Sequence, residues 1–161
     1  KSAADLVNNL GEEELAKVLY ELAQERYSRR IARKIGVERR ISPIKTTERL
    51  ATVVRSAIGH SNDKIDPATR PFLALRMAVN EELANLQSLL KHAPRFLKPA
   101  GRLAVISFHS MEDRMVKQAF RIAEEMGQVR VLTKKPVTPG EEEITRNPRS
   151  RSAKMRVIER V

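Results

Sequence analysis

Four uncharged residues, Leu103-Ala104-Val105-Ile106, follow the Gly101-Arg102 turn and stop abruptly at Ser107-Phe108-His109-Ser110-Met111-Glu112-Asp113-Arg114. Such a run after a glycine reads as a strand buried on both faces. Met115 to Phe120 then takes up helical spacing. A strand that passes through a polar tip into a helix commits this part of the chain to an α/β arrangement. In open α/β sheets ligands settle beyond the carboxyl ends of parallel strands, so the polar residues from Ser107 to Arg114 are site candidates. A purely structural reading is equally available, with Ser110 capping the helix and Glu112 and Asp113 suiting its first turn. Pattern alone leaves both open.

With 161 residues, 41% of them hydrophobic, the chain can hold one domain with a real core, or a domain and a lobe. No cysteine is present, so disulfides and thiolate metal sites are unavailable. His60, His92 and His109 are far apart in sequence, and no metal role is expected. No apolar stretch is long enough for a membrane span and the N-terminus has no signal core. The expectation is a soluble, cytoplasmic protein without a membrane partner. Lys1 stands where an initiator Met would be, so the chain is expected to be processed or part of a longer polypeptide. The balance of 31 Lys+Arg against 20 Asp+Glu, formally +11, points to a polyanionic partner, most commonly nucleic acid. Aromatics at 4% argue against a binder built wholly on base-stacking platforms.

In order, Ser2 to Leu10 predicts a short capped helix, and Glu12 opens a second with Leu15, Val18, Leu19 and Leu22 on one face. Arg26, Arg29, Arg30 and Arg33 then recur at helical spacing, with Ile31 and Ile35 inward and Gly36 as the expected stop. That stripe reads either as a solvated face or as phosphate contacts that position RNA without reading it. Arg39 to Ile44 reads as a basic connector, Glu48 to Ile58 as a helix, and Gly59 to Lys64 as a polar loop. One long helix is predicted from Asp66 to about His92, with Arg76 and Asn80 sharing a face. Beyond the buried strand and its helix, 128–135 predicts a strand with Val129, Val131 and Leu132 inward. Residues 136–143 predict an acidic loop, Thr145 to Ser152 a basic turn, and Ala153 to Val161 an alternating strand. Three strands cannot cover both their own faces, so Leu103 to Ile106 is expected to need more sheet than this chain supplies.

The six glycines are all widely spaced, and neither a P-loop nor a dinucleotide fingerprint exists. Ser107, His109 and Asp113 can be written as a triad, yet no G-x-S-x-G elbow holds either serine and the three crowd one turn, which disfavours triad geometry.

Three segments carry a resemblance. They are Pro67-Ala68-Thr69-Arg70 with Ala74 to Leu83 (ALRMAVNEEL), Gly101 to Lys117 (GRLAVISFHSMEDRMVK), and Asn147 to Arg156 (NPRSRSAKMR). With Glu25 to Ala32 (ERYSRRIA), they are similar to the MraW/RsmH family of bacterial small-subunit ribosomal RNA cytosine-N4 methyltransferases, over the C-terminal part of the family's length. Departures are Ala23-Gln24 in place of Gly-Glu, Asp66 where His is frequent, Pro71 where Thr is usual, and Ala100 where a second Gly is usual.

The resemblance implies an α/β fold: a helical RNA-recognition insertion lobe over 1–70, then the C-terminal portion of a class I (Rossmann-like) methyltransferase sheet over 71–161. It implies transfer from S-adenosyl-L-methionine to a cytosine N4, with the cofactor loop outside this chain and ribosomal RNA of the small subunit as partner. A homodimer is compatible with it. Transfer needs donor and acceptor held in line and a base drawn out of its stack. Ser107, Phe108, His109 and Ser110 are the acceptor-side candidates, with Phe108 on the base and His109 or Ser110 at its edge. Asp113 and Arg114 are expected to pair and fix the loop. Arg76 and Asn80 are candidates for the crevice; Arg70, Arg146, Asn147, Arg149 and Arg151 for substrate contacts; and Arg26, Arg29, Arg30 and Arg33 for a secondary RNA-facing stripe. The alternative is a non-catalytic basic RNA- or ribosome-binding module without the cofactor half.

Overall fold

The computed structural model describes residues 2–59 and 65–161. Lys1, and all but Gly59 of the polar loop expected over 59–64, lie outside the described residues. Contacts divide the chain into two compact units, Lys1–Glu82 and Leu83–Val161. The boundary between these units lies after Glu82, and the expected 70/71 boundary falls within the helix that follows Ala68.

The first unit is helical. Helix α1 (Ala3–Asn9) begins on a capping box in which Ser2 Oγ accepts from the Asp5 amide at 3.2 Å and Asp5 accepts from the Ser2 amide at 2.7 Å. Helices α2 (Glu12–Ala23), α3 (Ser28–Ile41), α4 (Thr47–Ile58) and α5 (Thr69–Asn80) follow. Their apolar stripes, including Leu15, Leu19, Ile31, Ile35, Val54 and Leu75, meet in one core. Gly36 does not stop α3 as expected: the helix runs through it to Ile41. A mid-helix glycine costs only about 1 kcal/mol, and the burial of Ile31, Ala32 and Ile35 before it outweighs that. Part of the expected basic connector is therefore helical, and Arg39 donates to the Val7 carbonyl at 2.8 Å. The remainder is pinned by Asn8, which bonds both the amide and the carbonyl of Ile44.

The expected long helix is two. Glu81 adopts a left-handed conformation (φ 51°) that ends α5, and α6 (Glu82–His92) starts anew. Arg76 and Asn80 do share a face, and both reach the Glu82 carboxylate, Arg76 at 2.8 and 3.0 Å and Asn80 at 3.1 Å. That polar knot marks the break.

In the second unit, Leu86 and Leu90 of α6 join a core formed by a three-stranded sheet and one helix. Strand β1 (Arg102–Ser107) leads into α7 (Ser110–Glu125); β2 (Val129–Val131) and a short helix α8 (Glu141–Arg146) follow; β3 (Lys154–Arg160) closes the sheet. The order is β1-β3-β2, antiparallel throughout, with Ser107 opposite Lys154, Val105 opposite Arg156 and Val131 opposite Ile158. Val116 and Phe120 of α7 pack against the face bearing Leu103, Val105, Val129 and Ile158.

Strand β1 is not buried on both faces. Arg102, Ala104 and Ile106 are exposed on the other side, Ile106 to 55%. β1 pairs only with β3 among the described residues, which leaves its outer edge open. The expected strand over 128–135 shrinks to three residues, and Leu132 is 38% exposed rather than inward. Where a loop and a basic turn were expected, α8 and a 3₁₀ turn over Pro148–Ser152 form instead.

The entry to β1 is a tight turn in which the Gly101 amide donates to the Lys98 carbonyl at 2.8 Å. Pro99 takes the second position and Ala100 the third, with φ 62°. That third position favours glycine, as in type II turns. Ala100→Gly is expected to raise stability by up to about 1 kcal/mol in urea unfolding. The left-handed penalty of a Cβ, roughly 1–2 kcal/mol, exceeds the added chain entropy of glycine, roughly 0.5–1 kcal/mol. A loss of stability would contradict this account.

Candidate functional site

The polar tip is built by a change of conformation at the end of β1. Ser107 is still in register with Lys154; it is 3% exposed and its Oγ donates to the Lys154 carbonyl at 3.3 Å. Phe108 then leaves the sheet, its amide donating to Glu112 Oε2 at 3.0 Å while its side chain stays 54% exposed. His109, extended at φ −139° and ψ 163°, is the N-cap of α7 in place of Ser110, and its Nδ1 accepts from the Glu112 amide at 3.4 Å. Ser110 is the first helical residue and is exposed.

An accepting Nδ1 puts the proton of a neutral His109 ring on Nε2. Nε2 is buried 3.2 Å from Glu112 Oε1, in an approach not aligned for a hydrogen bond. Burial pushes the Glu112 carboxyl up, but the adjacent His109 ring and the Phe108 amide outweigh it and hold the carboxyl below the usual glutamate range.

Asp113 does not pair with Arg114, which is exposed on α7. It accepts from Arg156 of β3 at 2.7 and 3.2 Å, and Lys154 lies 3.8 Å away. Arg156 is 6% exposed. Its hydrogen bonds lead in holding the Asp113 carboxyl below its ordinary range, against burial and with help from Lys154 and Lys117. Arg114 fails as partner because it follows Asp113 directly, and consecutive helical residues do not face each other.

Lys154 and Arg156 thus lie outside the expected site, and Glu112, a member of the polar tip expected to suit the first turn of the helix, is the partner of His109. Two signals point to them. Glu112 is three residues after His109, one helical turn. Arg156 shares strand parity with the apolar Ile158, so an arginine there must point inward.

The remaining candidates divide between the units. In the second, Arg146 pairs with Glu142, Asn147 accepts from Ser150 through its carbonyl, and Arg149 and Arg151 are exposed beside the buried Ser150. In the first, Arg70 is exposed, and Arg76 and Asn80 stand at an apolar cleft of about 320 Å³ with Val7, Leu50, Phe72 and Val79. Arg26, Arg29, Arg30 and Arg33 all line a second groove of that unit. No helix among the described residues is long and apolar enough to cross a membrane.

A mixed α/β unit with a polar strand-to-helix turn is compatible with part of an α/β methyltransferase. The sequence matches the MraW methylase family over residues 1–161, and the chain belongs to that family. It is similar to proteins named ribosomal RNA small subunit methyltransferase H. Identity is 52% over 160 residues with that of Acidobacterium capsulatum, covering 99% of this chain and 53% of the relative. It is 50% over 159 residues with that of Coprothermobacter proteolyticus, covering 99% and 53%. With that of Deinococcus deserti it is 52% over 161 residues, covering 100% and 53%. The chain spans about half the length of these curated relatives.

The β1–α7 turn does not fit as a methyl-donor cradle. It contains no glycine, and the amides of Phe108 and Glu112 are already committed to Glu112 and His109.

Proposed function

We propose that the protein transfers a methyl group from S-adenosyl-L-methionine to the N4 of a cytosine in small-subunit ribosomal RNA. In this reading residues 1–70 supply an RNA-recognition lobe, and residues 71–161 contribute the C-terminal part of a class I methyltransferase sheet with the acceptor-side wall. The donor is held by polypeptide beyond this chain, and the protein works in the cytoplasm. Family membership over the whole chain supports the reaction. The observation that carries the acceptor side is the exposed Phe108 ring on a turn whose Ser107 hydroxyl and Phe108 amide are bonded inward.

Phe108 offers an apolar face to a base drawn out of its stack, and Ser110 offers a hydroxyl at the base edge. Ser107 and His109 hold the turn that presents them, through Lys154 and Glu112. Asp113 anchors the first turn of α7 to β3 through Arg156. Arg70, Arg114, Arg146, Arg149 and Arg151 place the phosphates. The rest of the sheet would attach along the open edge of β1, and another layer would cover the face that carries the exposed Ala104 and Ile106.

The test is methyl transfer by the protein at its full encoded length, with methyl-labelled S-adenosylmethionine and small-subunit ribosomal RNA or particles, followed by nucleoside analysis. N4-methylcytidine is the expected product. Label on another base, or none, would refute the assignment.

A further inference from the structure

Between α2 and the start of α3 lies a groove of about 940 Å³. Lys17, Tyr20 and Glu21 form one wall, and Tyr27, Arg29 and Arg30 belong to the other. The four arginines of the stripe are not equivalent there. Arg33 is 3.5 Å from Glu12, and Arg26 lies over its neighbour Tyr27 with the guanidinium carbon 4.7 Å from the ring centroid. Lys17 approaches Glu21 at 4.0 Å. Arg29 and Arg30 have no ion pair or side-chain hydrogen bond among the described residues, and both are exposed. Tyr27 is fixed at its backbone, since its amide donates at 2.9 Å to Glu25, a carboxylate only 3% exposed. Tyr20 is 61% exposed.

We propose that this groove binds a single-stranded RNA segment, with phosphates on Arg29 and Arg30 and a base against Tyr20, a proposal that rests on the ribosomal RNA reading above. Two uncommitted guanidinium forks suit phosphate oxygens. An open aromatic face suits a base of any identity. The walls differ in charge, and this selects one strand. A single backbone can follow the basic wall while its bases turn toward Tyr20, where Glu13 and Glu21 accept from exocyclic amines. A duplex would press a second row of phosphates against those carboxylates. An Asp/Glu peptide satisfies the arginines but brings no aromatic ring to stack on Tyr20.

The measurement is fluorescence anisotropy of the full-length protein with a labelled, unstructured pyrimidine oligoribonucleotide across a salt series. Arg29→Gln with Arg30→Gln should weaken binding about tenfold or more at low salt. It should also flatten the slope of log K against log salt by about 1.4, two phosphates at about 0.7 each on a single strand. Tyr20→Ala should weaken binding roughly tenfold with the slope unchanged, because stacking releases no counterions. All three positions are exposed, and an unaltered circular dichroism spectrum and melting midpoint show that the variants fold. An unchanged slope in the double variant overturns the proposal. So does equal competition by polyglutamate or duplex RNA, or a Tyr20→Ala variant that binds like the parent. If these variants bind normally while the protein still methylates ribosomal RNA, only the groove is wrong. A parent protein that binds neither the oligonucleotide nor ribosomal RNA removes both readings.

Discussion

Asp113→Ala is expected to cost about 3–5 kcal/mol of folding stability, because it strands the Arg156 guanidinium as an uncompensated buried charge. The cost arises from what remains rather than from what is lost. Replacing both partners, Asp113→Ala with Arg156→Met, should therefore restore most of it, since an apolar pair of similar volume is often neutral at such sites. Urea unfolding followed by near-ultraviolet and helical signals would measure the cycle. A single-variant loss under about 1 kcal/mol, or a double variant as unstable as the single, would contradict the argument. The pair also has a definite pH signature. Arg156 depresses the folded pKa of Asp113, so its contribution is fully present above the unfolded aspartate value of about 3.9. It is lost as pH falls below that value and through the folded one. The stability difference between the parent and Asp113→Asn should accordingly narrow in acid and stay constant from about pH 5 upward.

Phe108→Ala should lower kcat/KM for methyl transfer about 10- to 100-fold in the full-length protein, while changing stability by no more than about 0.5 kcal/mol. A ring left 54% exposed contributes little to packing. Removing a stacked contact to a base costs roughly 1–3 kcal/mol, and each 1.4 kcal/mol is tenfold. Phe108→Tyr keeps the face and should stay within about threefold of the parent. If Phe108→Ala retains kcat/KM within twofold, the ring does not meet the base, and the acceptor side must be sought elsewhere in the protein.

Both predictions concern a turn of which the sequence shows one half. An apolar run ending at Ser107 and a helix from Ser110 are legible because period and punctuation agree there. The cap is less so. His109 fills a role that Ser110 would more commonly take, and only the extended backbone at His109 reveals it. Arg156 hides for a different reason. Read along the chain it is one of many basic residues near Asn147 to Arg156, and only its register opposite Val105 turns it inward. In the helical unit the stripes of Leu15, Leu19, Ile31 and Ile35 are plain at helical period, and they form the core found. Glycine misleads at Gly36, where packing overrides propensity, whereas Glu81 breaks a helix with a residue that carries no breaker signal. The strand after α7 is over-read because the alternation of 128–135 ends at Val131, where Leu132 follows directly, and β3 pairs only Val129 to Val131.

The middle position of β3 orders events in time. A polypeptide grows from its amino end, so β1 and β2 leave the ribosome before the strand that joins them, and among the described residues neither has another partner. Until 154–160 emerge, β1 and β2 lack the one strand that pairs with both, and when they do emerge both ladders can close together.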